Sequence, residues 1–155
     1  MAKIKGFPGL RAGSKAAISD DGQVASITFS DLEVKVGNPH PTLGAIQVES
    51  FTLQLSENGT ELPIRLTAGG FVFTTPGARA LLVVHMGDTT TLASFPPVPS
   101  DKNVEQKVLQ ELKAIVPAGV DVQTTLFLLV DHYSGDASLN VLSLDFSLDL
   151  GTVSM

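Results

Sequence analysis

The sequence predicts a mainly β domain: a single β-sandwich or flattened barrel of about eight antiparallel strands, with one amphipathic helix inserted over about residues 101–116. Three observations lead there. Apolar residues alternate with polar ones at period two through much of the chain, turn-forming Gly, Pro, Asn and Asp separate those stretches, and one late stretch changes to helical spacing. The domain is expected to span residues 15–155, preceded by a flexible basic arm over residues 1–14.

Asp20-Asp21-Gly22 is a turn, because Asp tolerates left-handed backbone and Gly supplies positive φ without a steric cost. The strand after it places Ala25, Ile27 and Phe29 on one face. Leu32, Val34 and Val36 then have the opposite parity, which requires one extra residue near Ser30-Asp31. The same change of parity is read between Ile46/Val48 and Phe51/Leu53/Leu55, at Glu49-Ser50. It is read again between Leu62/Ile64/Leu66 and Phe71/Phe73, across Gly69-Gly70. Three such breaks predict strands that bend at bulges, as at the corners of sandwiches and barrels. The alternative reading is that the bulges aim Asp31 and Glu49 at a ligand.

Gly37-Asn38-Pro39-His40-Pro41 and Asn58-Gly59 punctuate these strands, and Asn58-Gly59-Thr60 is a formal glycosylation sequon. The runs Ala80–Val84 and Leu126–Val130 have no polar face, so they are expected to be buried on both sides or covered by another element. The expected cover is the helix, whose stripe is Val104, Val108, Leu112 and Ile115, capped by Ser100 or Asp101 and stopped by Pro117. In the final strand Leu142, Leu144, Phe146, Leu148 and Leu150 alternate with polar residues, placing Asp145 and Asp149 on the outer face.

Composition narrows the class. The 155 residues are 43% hydrophobic and 17% charged, enough apolar content for one core, and no stretch has the length and apolarity of a membrane span or the h-region of a signal peptide. A soluble chain with no membrane insertion is expected, either intracellular or mature and extracellular. With no cysteine there is neither a disulfide framework nor a thiolate metal site. Four of the ten basic residues (Lys3, Lys5, Arg11 and Lys15) precede the first acidic one, leaving six against sixteen acidic residues. An acidic body of this kind argues against a nucleic-acid partner.

Motifs for catalysis are sparse, and no cofactor is expected. His40, His85 and His132 show no metal-ligand spacing, and Asp131-His132 lacks the G-x-S-x-G elbow a hydrolase triad would need. Gly69-Gly70 opens no helix and so offers no phosphate cradle. Loop carboxylates Asp20, Asp21, Asp31, Asp131 and Asp136, with Ser134, are the candidates for calcium, which takes six to eight oxygens. Tryptophan is absent and tyrosine occurs once, so a stacking platform for sugars or bases is poorly stocked.

Ser14, Ile18 to Gly22, ITFSDLEVKVG, SFTLQL, GGFVFTTPGARALL and LNVLSLDFSLDL resemble the strand patterns of a family of small secreted fungal and bacterial β proteins of unknown function. The resemblance spans residues 14 to 95 and 136 to 150, and implies a sandwich in an extracellular setting but no reaction. From the residues themselves the expected function is a non-catalytic, self-assembling subunit, such as a coat, filament or virion-surface component forming homo-oligomers. Its arm, with Lys3, Lys5, Phe7 and Arg11, would latch onto an acidic neighbour. The alternatives are a secreted ligand- or calcium-binding module and, third, a hydrolase.

Overall fold

The computed structural model describes residues 3–37, 44–56, 61–95, 107–117 and 121–148. They form eleven strands: β1 Ile4–Gly6, β2 Lys15–Ile18, β3 Val24–Thr28, β4 Glu33–Val36, β5 Gly44–Leu55, β6 Glu61–Thr74, β7 Ala78–Met86, β8 Thr89–Phe95, β9 Lys107–Pro117, β10 Val122–His132 and β11 Ala137–Leu148. Five make one sheet in the order β1-β5-β10-β7-β8. The other six make a second sheet, β2-β3-β11-β6-β9, in which β4 also pairs with β11. Every pairing is antiparallel. Neither sheet closes on itself, so the domain is a sandwich with Phe29, Phe51, Phe146, Leu66, Leu82 and Leu126 among the side chains fully buried between its layers.

The expected helix is corrected. Residues 107–117 are strand β9, paired with β6 from Glu61↔Pro117 to Gly70↔Lys107, while residues 101–106 lie outside the described residues. Leu112, Ala114 and Val116 point inward at period two, whereas Val108 and Ile115, half of the expected helical stripe, are 64% and 66% exposed. Leu, Glu, Lys, Gln and Ala favour helix intrinsically, but burial of the alternate residues and pairing with the 14-residue β6 override that weak preference.

The three parity breaks have different origins. At Ser30-Asp31 the chain bends between β3 and β4, which lie one after the other along the same edge of β11. Phe29 N donates to Leu142 O (2.8 Å) and Val141 N donates to Leu32 O (2.9 Å) across that bend. The other two expected bulges are corrected. β5 runs in unbroken register with β10, so Glu49 faces inward in line with Phe51 and Leu53, and Ile46 and Val48 face outward. β6 likewise keeps its parity, with Leu62 through Thr74 inward at every second residue and Phe71 and Phe73 on the outer face.

The extra residues sit in the strands flanking β6. β11 shifts register between Val141 and Ser143, and β9 shifts opposite Ala68/Gly69. Gly69-Gly70 is where the two bulges meet β6. A Cβ on Gly70 would clash with the Asn140 carbonyl oxygen, so the close approach of β11 depends on the missing side chain. Gly70→Ala is expected to lower stability by about 1–3 kcal/mol through this overpacking, read from the midpoint of urea denaturation.

Candidate functional site

The apolar runs of β7 and β10 are central strands of the five-stranded sheet, and their alternate residues part cleanly. Ala80, Leu82, Val84, Leu126, Leu128 and Val130 enter the core. Leu81, Val83, Phe127 and Leu129 stand half-buried on the outer face, where no described element covers them. Pairing aligns these side chains in rows across the sheet. One row is Ile46, Leu129 and Leu81; the next is Val48, Phe127, Val83 and Leu92. Ile46, Val48 and Leu92 are 58%, 46% and 61% exposed.

The rows beyond are polar and mostly uncharged. Ser50, Thr125, His85 and Thr90 form the next one, followed by Thr52 and Gln123. Their side chains bond to each other: Ser50 Oγ and Thr125 Oγ1 share a 3.2 Å bond, Gln123 Nε2 donates to Ser50 Oγ (3.2 Å), and Thr52 Oγ1 donates to Gln123 Oε1 (3.2 Å). His85 Nδ1 lies 2.7 Å from Thr90 Oγ1. At the opposite end of the apolar rows Arg79 Nε donates to Asp131 Oδ1 and Oδ2 (2.9 and 3.1 Å). Beside that pair, Gly44, Ile46, Leu81 and Leu129 line a shallow depression.

The outer face of the six-stranded sheet differs in kind. It carries Arg65 and Glu111 (4.0 Å), Lys35 and Glu33 (3.6 Å), and Asp145, which accepts from Ser26 Oγ (2.6 Å). One face of the sandwich thus mixes ion pairs with apolar residues such as Phe71, Phe73, Val108 and Ile115, while the other combines an apolar stripe with a hydroxyl and amide ladder. Periodicity displays the stripe as two runs without a polar face, but it does not distinguish an uncovered face from one lying under a helix.

The expected calcium ligands do not converge. Asp20 and Asp21 sit in the β2–β3 turn, where Asp21 accepts from Ser19 Oγ (2.7 Å) and Gln23 N (3.0 Å), bonds that hold its carboxyl below the usual carboxylate range. Asp31 lies at the β3–β4 bend, Asp131 on the outer face against Arg79, and Asp136 beside Thr75 at the start of β11. Among the described residues no three His, Asp or Glu side chains are grouped to hold a metal ion. Ser134 packs against Gly77, and His132 Nδ1 lies 2.9 Å from the Gly135 carbonyl oxygen. His40, Asn58 and Asp149 lie outside the described residues.

The basic segment is built into its own domain. β1 pairs with β5, Lys3 N donates to Ser56 Oγ (2.7 Å), and Thr52 N donates to Pro8 O (2.8 Å). Phe7 is buried, its ring 5.9 Å from that of Phe51 and 5.1 Å from that of Phe146. Lys5 is exposed. Arg11 Nε approaches Glu49 Oε1 at 3.6 Å, and Glu49 is only 5% exposed. Burial pushes the Glu49 carboxyl above its ordinary value, against the opposing pull of Arg11.

No protein-family model and no curated protein matches this chain. Among solved structures, the enzymatically active domain of bacteriophage CBA120 tailspike protein 4 is similar at a TM-score of 0.37 and 14% identity, over 96% of this chain. This chain spans 19% of the length of that one. The carbohydrate-binding module TmCBM61, solved with β-1,4-galactotriose, is similar at a TM-score of 0.35 and 15% identity, over 90% of each chain. Likeness at this level carries no argument about function. The expectation of a self-assembling coat, filament or virion-surface subunit is nevertheless corrected. Phe7, the intended anchor of the latch, is spent on the chain's own core.

Proposed function

We propose that the protein is a non-catalytic glycan-binding module whose ligand lies across the outer face of the five-stranded sheet. The observation that carries this reading is the ladder of Thr52, Ser50, Gln123 and Thr125, bonded side chain to side chain, directly beside the row that contains Phe127. A pyranose ring has the same division, an apolar C–H face and a rim of hydroxyls. It can lay the former on Phe127 and Val83 and exchange hydrogen bonds with the latter. Ser50, Thr52, Gln123 and Thr125 carry no charge, which favours a neutral saccharide.

Glycoside hydrolysis ordinarily needs two carboxyl groups within about 5–10 Å of each other. Asp131 is the one carboxylate among the outward-facing residues of strands β5, β7, β8 and β10, and it is held by Arg79. Binding without cleavage is therefore the activity proposed. The test is a titration of the labelled chain with neutral oligosaccharides, followed by amide NMR shifts. Saturable shifts are expected at residues 81–85 and 123–129. Phe127→Ala and Gln123→Ala are each expected to weaken binding about tenfold, equivalent to about 1.4 kcal/mol. Failure of a broad panel of neutral glycans to bind overturns the reading. So does a partner whose binding is lost with Leu92→Lys but kept with Gln123→Ala, since that pattern marks protein docking on the apolar rows.

A further inference from the structure

A second concave surface lies at the edge of the sandwich, where β6 and β9 meet the start of β8. Its walls are Pro63, Ile64 and Ile115, and Arg65, Lys113 and Thr89 also line it. Three features set it apart. Arg65 and Lys113 are direct cross-strand partners, so two cations stand side by side on one sheet face, an arrangement that is repulsive when nothing lies between them. The Nε atom of Arg65 is shielded from solvent without a hydrogen-bond partner, which is uncommon for a charged donor. Glu111 lies near that Nε, but at 4.0 Å, which is charge proximity without a hydrogen bond. The charged residues that line the groove are both cations, on a chain whose net charge is -6, while the carboxylates Glu111 and Asp145 stand in the neighbouring cross-strand row.

We propose that this groove is a binding site for an oxyanion group, a carboxylate, sulfate or phosphate, held between Lys113 and the guanidinium of Arg65, with Thr89 among the lining residues. An oxyanion there screens the two cations from each other and takes charge-assisted bonds from both. Glu111 is then its competitor. That assignment separates a built site from general attraction to a basic spot.

The experiment titrates the full chain with sodium sulfate, sodium phosphate and sodium acetate against sodium chloride at matched ionic strength, following backbone amide shifts. Saturable shifts at Arg65, Thr89, Lys113 and Ala114 are expected with at least one oxyanion and not with chloride. Comparing the three anions distinguishes a site shaped for tetrahedral groups from one shaped for a planar carboxylate. Arg65→Gln and, independently, Lys113→Gln are expected to weaken binding about tenfold or more, and Glu111→Gln to tighten it. Both cations lie on an outer face, so if one variant folds poorly the other still decides. Shifts that grow linearly and equally in chloride overturn the proposal, as does unchanged affinity in both Arg65→Gln and Lys113→Gln. None of these residues belongs to the proposed glycan face, so either site can fail without the other.

Discussion

Phe7→Ala is expected to lower the free energy of unfolding by about 3–5 kcal/mol, the usual cost of removing a buried aromatic side chain. Phe7 closes a cluster with Phe51 and Phe146, whose own rings meet edge to face at 6.2 Å. Removing it leaves a void between the two sheets, and the packing around it cannot easily collapse because β1 and Pro8 are both bonded to β5. Lys5→Ala, two residues away on an exposed position, is expected to change stability by less than about 0.5 kcal/mol. Urea denaturation of the two variants beside the parent measures both. A Phe7 variant as stable as the parent would return the N-terminal segment to the role of a loose arm.

Arg11→Met is expected to destabilise the fold by about 2–3 kcal/mol near pH 8 and by much less near pH 4. Breaking a fully buried ion pair from one side costs about 3–5 kcal/mol. The lower figure applies here because the Arg11 side chain keeps 30% of its exposure. The direction with pH follows from the Glu49 carboxyl, which burial raises above its ordinary value. The folded chain therefore holds this proton more tightly than the unfolded one. The stability Glu49 contributes is fully present below the ordinary glutamate range and is lost as pH rises through the raised folded value. Loss of the Arg11 guanidinium removes the charge attraction that opposes burial and leaves only the hydrogen bond from the backbone of residue 11, which extends the decline to higher pH. Glu49→Gln cannot titrate, and its stability curve is expected to lose this component. Denaturation midpoints of the parent and both variants between pH 4 and pH 8 measure the effect, and parallel curves for parent and Glu49→Gln would refute the assignment.

Glu49 also shows where sequence reading stopped short. The sandwich and its turns are legible because period two and turn chemistry are local properties. Ile46 and Val48, being apolar, read as inward from the sequence, and that reading requires a parity break at Glu49. The structure keeps the parity and buries the carboxylate, an arrangement that depends on Arg11 reaching it from 38 positions earlier in the chain. Phe71 and Phe73 misled in the same way. Both lie outward, and the bulges belong to β9 and β11, which are β6's neighbours only in three dimensions. The helix reading failed because Leu112 and Ile115 fit a 3.6-residue period while Leu112, Ala114 and Val116 fit a period of two, and only pairing with β6 decides between them. The candidate face was half visible. Two runs without a polar side announced apolar residues on both faces, but Ser50, Thr52, Gln123 and Thr125 come from strands about 70 positions apart and become a ladder only in register.

The pairing of early strands with late ones sets the order of events during synthesis of this chain. β3 and β4 find their shared sheet neighbour only in β11, and β5 finds its main one in β10. While the ribosome is still producing β7, the first 55 residues have short local partners at best, such as β2 with β3. Their apolar alternation is then exposed on strands whose edges are open, a state prone to association with other nascent chains. Because long-range pairing must precede most of the burial, folding is expected in the millisecond-to-second range typical of sandwiches. The cell must therefore keep the N-terminal third of this chain apart from its like until the last two strands have been made.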